Sequence, residues 1–413
     1  MSLLSSAANQ SSSWLAIKLC GVLLLLLGTA AFPVPASAME FTLNQRCPPG
    51  FELTDTVCRL RSLYQTYDSL QGAGVGGLKT GLPPWRDGFT PEQIDLGRYL
   101  FFDPLLSTDH TLSCASCHQP GRGFADGMGR SVGARGQLGA RSAPSLWNVA
   151  FLQSLFWDGR AGSLEQQMLE PLFSPIEMAN SAPVLLARLR ESASYRTLFA
   201  QAFPTHFSQP EATIELSQLY TALAAFQTSL ISLNSRYDQY AHGYSDALSA
   251  RERAGLNVFR SFVARCAECH TPPLFTNQQL AVIGTPEPAG LPFDPGAGPV
   301  LGEPTLRGAF RTPGLRNIAL TAPYMHSGRF ATLREAVAFY TGGRGHAVPA
   351  GQDLRIHWHI WEPRLTDDEL NQLVEFLHTL TDESLKPVTP TAVPSGLPLM
   401  HGPATPITTG SAP

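Results

Sequence analysis

The chain has 413 residues, 43% of them hydrophobic, and a net charge of −4. That is enough apolar material for two or three domains with real cores, and the charge excludes the basic footprint of a nucleic-acid binder. Glycine (36) and proline (34) are abundant, so long loops are expected between the regular elements.

Taken in chain order, residues 1–38 read as a signal peptide. Lys18 precedes the apolar run LCGVLLLLLGTAAF, and Ala36-Ser37-Ala38 fits a cleavage site. The run is nearer an h-region than a full span of about 20 residues, so export to the periplasm, with no membrane span after cleavage, is expected. An extension over 39–88 carries Cys47 and Cys58, and in an exported protein a disulfide between them is the natural reading. Thr90, Pro91 and Gln93 then write the start of a helix as N-cap, first residue and capping box. Further helices are expected from Ser163, over Ala212–Leu233, from Ser249 and from Thr366, the last with a capping box through Glu369. In ATLREAVAFYTGGRG, Thr332 and Glu335 open a helix, Gly342-Gly343 close it, and Tyr340 sits in its last turn. No run of alternating strands stands out. The fold class is mainly α, with long Gly/Pro loops such as Thr271–Pro313 and a Pro/Thr/Ser-rich tail over 384–413 that should be disordered.

One pattern repeats after 152 residues: CASCH at Cys114–His118 and CAECH at Cys266–His270. C-x-x-C-H is the attachment pattern of c-type haem, with two thiols for the vinyl groups and a histidine for the iron; composition alone gives about 0.003 copies in a chain like this. A thioredoxin-like site would need a βαβ context, and zinc would need the two pairs close together. The repeat therefore predicts two cytochrome c-like helical domains in tandem, over 89–235 and 236–383, each with one covalent haem. Cys114, Cys117 and His118 would hold the first, and Cys266, Cys269 and His270 the second. No histidine lies between His118 and His206, so the first iron has no obvious second imidazole, although Met128, Met168 and Met178 are thioethers in range.

The ordered motifs LGRYLFFDPLLS, LSCASCHQPGRGFADG, RSAPSLWN, FWDGRAGSLEQQ, CAECH and TPGLRNIALTAPYMHSGRFATLREAV resemble the bacterial di-haem cytochrome c peroxidase family, including its MauG-like branch, over roughly Phe89–Leu380. The resemblance implies Trp157 between the haems, Gln167 over the peroxidatic haem and Glu177 as the distal acid–base. It also implies that the sixth ligand of the second haem lies fourteen residues after His326, at Tyr340; the peroxidases carry methionine there and the MauG-like branch tyrosine, with Met325 the nearest sulfur rival. A calcium ion between the domains is implied through the carbonyls of Thr321 and Pro323, with Ser142 in place of the usual asparagine. The loop histidine that caps the first haem in many peroxidases is absent from SVGARGQLGARSAP, so no reductive activation is expected. The branch's surface tryptophan before the second motif is also absent: Phe262 and Ala264 stand there, leaving Trp147, Trp358 and Trp361 as candidates. HWHIW, at His357–Trp361, offers two imidazoles and no evident third metal ligand. The CPPGF leader resembles that of MauG relatives from copper-peptide (methanobactin) clusters.

These features lead to a periplasmic, hydrogen-peroxide-dependent di-haem oxidoreductase. It would oxidise a side chain of a partner protein by long-range electron transfer through a high-valent di-haem state. The alternatives are a cytochrome c peroxidase fed by a small cytochrome or cupredoxin, and a non-catalytic di-haem electron carrier. The family's habit implies a homodimer.

Overall fold

The computed structural model describes residues 40–66, 81–342, 348, 351–384 and 386–400. The signal segment 1–38, Gly343 and the tail beyond residue 400 lie outside the described residues.

Two crossed helix pairs organise the chain, and each is built around a glycine. In the first, Pro91–Phe102 crosses Leu216–Thr228; a methyl on Gly97 would lie 1.8 Å from the Ala222 carbonyl oxygen. In the second, Ala250–Arg260 crosses Asp367–His378, and a methyl on Gly255 would lie 1.9 Å from the Gln372 carbonyl oxygen. Only glycine lets two backbones approach this closely. An aromatic pair flanks each crossing: Phe101 on Phe226 with centroids 5.0 Å apart, and Phe259 on Phe376 at 5.2 Å. The resemblance between the two halves thus extends beyond the haem motifs to the way their helices cross.

Each pair anchors its own hydrophobic core. Leu96, Leu100, Phe101, Phe124 and Phe199 are buried in the first. Tyr237, Phe259, Phe275 and Phe376 are buried in the second. Buried charge ties elements to the second core: the Arg316 guanidinium pairs with Asp238, whose carboxylate also accepts from the Tyr64 hydroxyl of the N-terminal extension. The Arg316 charge holds the Asp238 pKa down against a burial that would raise it.

The expected helix starts are present. Thr90, Ser163, Ser249, Thr332 and Thr366 each accept a backbone N–H of their own first turn. The Ala212–Leu233 expectation is too long. The helix spans Leu216–Thr228, and Leu230 and Ile231 are buried without being helical. Helices Ala182–Glu191 and Ala193–Ala202 lie outside the expected set.

The chain is mainly helical, as expected, with two small ribbons: Phe51–Thr54 pairs antiparallel with Val57–Leu60, and Leu280–Val282 with Ala309–Arg311. Strands of three and four residues are too short to write an alternation. The first ribbon turns on Asp55, at φ +57°, and Cys58 on its second strand is joined to Cys47. The tail departs from its expectation. Its described part packs on the first core: Val393 is 1% exposed, and the Ser395 hydroxyl donates to Asp103 at 2.7 Å. A few apolar anchors and one buried carboxylate order a segment whose composition alone suggests disorder.

Candidate functional site

Each C-x-x-C-H motif begins as a single helical turn, Cys114–Cys117 and Cys266–Cys269, so the paired thiols face one side. The histidine that follows closes the turn, its N–H donating to the first cysteine's carbonyl at 2.9 Å for His118 and 2.8 Å for His270. Both rings are then fixed from behind. His118 Nδ1 lies 2.9 Å from the Phe124 carbonyl oxygen, and His270 Nδ1 lies 3.0 Å from that of Phe275 and 3.1 Å from that of Pro313. A carbonyl can only accept, so Nδ1 carries the proton and Nε2 is left as a lone-pair donor. Burial lowers both imidazole pKa values, favouring this neutral form. The four cysteines are free thiols. Burial pushes Cys114, Cys117 and Cys266 up to about 12.

Each motif opens on a cavity. The first, of about 410 Å³, is lined by Cys114, Cys117, His118, Trp157, Gln167 and Glu177 among others. The second, of about 280 Å³, is lined by Cys266, Cys269, His270, Met325 and Tyr340. Ser142–Ser145, Trp157 and Arg311 line both, so one wall separates them. The structure therefore gathers Trp157, Gln167 and Glu177 around His118, and sets Tyr340 with His270.

Whether a haem suits each cavity can be tested on donors left without acceptors. Arg311 is 6% exposed, and no carboxylate among the described residues pairs with it. Its one side-chain hydrogen bond runs from Nε to the Phe156 carbonyl, a long 3.4 Å, and burial lowers its pKa to about 10. Trp147 Nε1, on the second cavity's wall, is buried without a partner. A buried guanidinium and an orphaned indole N–H facing these cavities call for anionic acceptors. The propionate edges of two haems are acceptors of that kind. Thiol pair, imidazole lone pair and cationic wall together fit the group.

Inside the first cavity, Gln167 stands on the helix Leu164–Phe173, whose neighbouring Leu164, Met168 and Leu172 are buried. Glu177 follows on a turn closed by its N–H to the Ser174 carbonyl at 3.1 Å. The glycine-rich loop over 131–144 is docked on this turn: the Ala134 N–H donates to the Glu177 carbonyl at 2.7 Å, and a methyl on Gly133 would lie 1.9 Å from the Ile176 carbonyl oxygen. The loop thus brings Ser131, Gly133, Gly139 and Arg141 to the cavity wall. The Glu177 carboxyl has a raised pKa, first from burial and then from the Glu170 charge, with Arg160 opposing both. Arg160 itself is shared between Asp158 and Glu170 and stacks 3.5 Å from the Phe156 ring. Of the three thioethers considered, Met168 accepts from Gln227 Nε2 at 3.5 Å, Met178 is buried on the wall, and Met128 lines neither cavity.

Trp157 donates its indole N–H to the Ser142 carbonyl at 2.9 Å. Tyr340 caps the helix Leu333–Phe339, and burial raises its hydroxyl pKa. Its ionisation therefore needs a cation beside it. Ser142, named in the calcium expectation, lies beside the segment that carries Thr321 and Pro323. The Ser142 hydroxyl donates to the Met325 and His326 carbonyls at 3.2 Å, and no group of three His, Cys, Asp or Glu suited to a metal occurs among the described residues. His359 of the HWHIW segment pairs with Glu268 of the second motif at 2.8 Å. Sequence reasoning missed Arg311, although it stands one residue before the TPGLRN motif.

Fold and site together define a di-haem oxidoreductase. The profile of the family described as di-haem cytochrome c peroxidase matches residues 91–246. Among curated relatives, the methylamine utilization protein MauG of Methylorubrum extorquens is 34% identical over 300 residues, covering 73% of this chain and 81% of that protein. Cytochrome c551 peroxidase of Nitrosomonas europaea is 33% identical over 316 residues, covering 75% and 87%. A solved MauG-like protein associated with microbial copper homeostasis superposes with a TM-score of 0.66 at 36% identity, covering 76% of this chain and 97% of its own. The chain belongs to the di-haem cytochrome c peroxidase and MauG family, and is a peroxidase-like oxidoreductase whose family carries two haem groups. Family membership sets aside the non-catalytic carrier. No helix among the described residues is long and apolar enough to cross a membrane.

Proposed function

We propose that this is an exported, peroxide-dependent oxidase that modifies a side chain of a partner protein. Cys114, Cys117 and His118 would hold one haem, and Cys266, Cys269, His270 and Tyr340 would hold the other. A haem bound in each cavity would supply the redox capacity for reaction with hydrogen peroxide. The chain's residues do the rest. Glu177 takes the proton from the near oxygen of peroxide and returns it to the departing one, a task suited to a carboxyl with a raised pKa. The Gln167 amide orients the peroxide, and Trp157 occupies the shared wall as the electron path. Tyr340 offers a hard anionic oxygen, which lowers the potential of the second site and suits it to storing an oxidising equivalent. Residues 1–38 and the Cys47–Cys58 bridge support export.

The contrast between the cavities carries this reading: a carboxyl and an amide beside His118, a phenol beside His270. The rival within the family is a peroxidase fed by a small cytochrome or cupredoxin, and curated relatives bear both names. Adding peroxide to the fully oxidised holoenzyme separates them. Immediate reaction, followed by a peroxide-dependent mass change in a periplasmic partner, supports the proposal. Inertness until one haem is reduced supports the rival.

A further inference from the structure

We propose that Arg160, latched to Glu170 across the mouth of the first cavity, sets the size of the hydroperoxide that reaches Glu177, an inference that rests on the function proposed above. Arg160 lines that cavity together with Glu177, and its side chain is 26% exposed, so it faces both the enclosed space and the solvent. Ala140 and Ile176 also line the cavity and are exposed, and with Arg160 they mark its rim. Glu170 lies outside the lining, three residues beyond Gln167 on the same helix, and is half-exposed. The cavity therefore meets the solvent beside a charged side chain that the chemistry proposed above does not use.

Three contacts fix the guanidinium in place. On the inner side Nη1 donates to both oxygens of Asp158 at 2.8 Å, and Asp158 is 2% exposed. Asp158 is itself held by Arg141 at 2.6 Å. On one face, the guanidinium carbon lies 3.5 Å from the ring centroid of Phe156, another wall residue. On the outer side Nε and Nη2 form a fork with the two oxygens of Glu170, Nε donating at 2.9 Å. Such a fork holds a planar guanidinium in one orientation. The two carboxylates differ in grip. The inner one is buried and little screened, whereas the outer one meets water and salt. Loss of the outer contact leaves Arg160 hinged on Asp158 and free to swing off the rim. Burial raises the Glu177 pKa, and the Glu170 and Arg160 charges then act on it in opposite directions, so the latch stands close to the acid–base group.

Selection by size follows. Hydrogen peroxide is the smallest hydroperoxide and passes beside a closed latch. An alkyl hydroperoxide carries a carbon group beside the same O–O bond and needs the guanidinium moved aside. Its reaction balances as that of hydrogen peroxide does: the O–O bond breaks, two electrons from the holoenzyme and two protons are taken up, and an alcohol and a water leave. A half-exposed ion pair shifts an open–closed balance by about fivefold, which sets the effect to expect.

The test uses holoenzyme of wild type, Glu170→Ala and Glu165→Ala; Glu165 stands on the same helix but pairs with Arg86 and lines neither cavity. Entry is first read without turnover, from the rates at which imidazole and 4-phenylimidazole bind the oxidised protein at a pH where both are neutral. Reaction is then read as the rate of spectral change with hydrogen peroxide and with tert-butyl hydroperoxide. In Glu170→Ala the large-to-small rate ratio should rise about fivefold in both experiments, and Glu165→Ala should leave both ratios unchanged. Added salt should move the wild-type ratios toward those of Glu170→Ala, by screening the outer pair. Ratios that stay unchanged in Glu170→Ala, or that rise equally in Glu165→Ala, overturn the latch while leaving the proposed function standing. If wild-type holoenzyme neither binds imidazole nor reacts with hydrogen peroxide, the proposed function itself fails and the latch falls with it.

Discussion

Trp157 donates its indole N–H to the Ser142 carbonyl at 2.9 Å, and the two residues form part of the single wall that both cavities share. Ser142 is held in turn by the other half of the molecule, its N–H donating to the His326 carbonyl at 2.8 Å. The indole is thus fixed between the two motifs by a contact that bridges the halves. Trp157→Phe keeps an aromatic ring, though a smaller one, and loses the hydrogen bond. Haem loading should be unchanged, and the spectral response of the His270 haem to peroxide added at the His118 haem should slow by about tenfold or more. Stopped-flow absorption measures both.

Glu177 gives a pH prediction of defined sign. Its pKa is raised above the ordinary 4.5 by burial and by Glu170. Above 4.5 the folded state therefore holds a proton that the unfolded chain has lost, and stability falls as pH rises through that window. Glu177→Gln removes this penalty. The variant should melt higher than wild type at pH 7, lose that advantage below pH 4.5, and react with peroxide more slowly by about a hundredfold. Thermal melts across pH and single-turnover kinetics check the two parts.

Arg311 should behave differently with and without haem. A buried cation with no carboxylate partner destabilises the empty chain, so Arg311→Met should raise the melting temperature of apoprotein. In holoenzyme the same change would remove a positive charge from the wall of both haem cavities. Both reduction potentials should fall, because the oxidised iron is then less opposed, and Arg311→Lys should restore part of the loss. Potentiometric titration of the three proteins decides it.

Gly97 and Gly255 should tolerate no side chain. A methyl at either would meet a carbonyl oxygen at 1.8 or 1.9 Å. The helices must then separate, at about 3 kcal/mol for each substitution to alanine. Denaturant melts of Gly97→Ala and Gly255→Ala should show comparable losses, since the two crossings are built alike.

What the sequence disclosed was local. Caps such as Thr90 with Gln93 and Thr366 with Glu369 lie three residues apart, and a C-x-x-C-H motif fixes its own geometry within one turn. Trp157, Gln167 and Glu177 were found through a family resemblance, and the structure brings them to one cavity. Other features depend on distant partners. Arg311 reads as an ordinary loop cation until its burial is seen. Ser395 looks like tail sequence until it meets Asp103. The ribbons at Phe51–Leu60 and Leu280–Arg311 use strands too short to write a period.

The central claim is that the two irons have unlike surroundings, an accessible one at His118 and one closed by the Tyr340 oxygen at His270. Low-temperature electron paramagnetic resonance of the resting, fully oxidised holoenzyme tests it most directly. One high-spin and one low-spin signal are predicted, with the low-spin signal altered in Tyr340→His. Two low-spin signals, both unchanged by that substitution, would contradict the account.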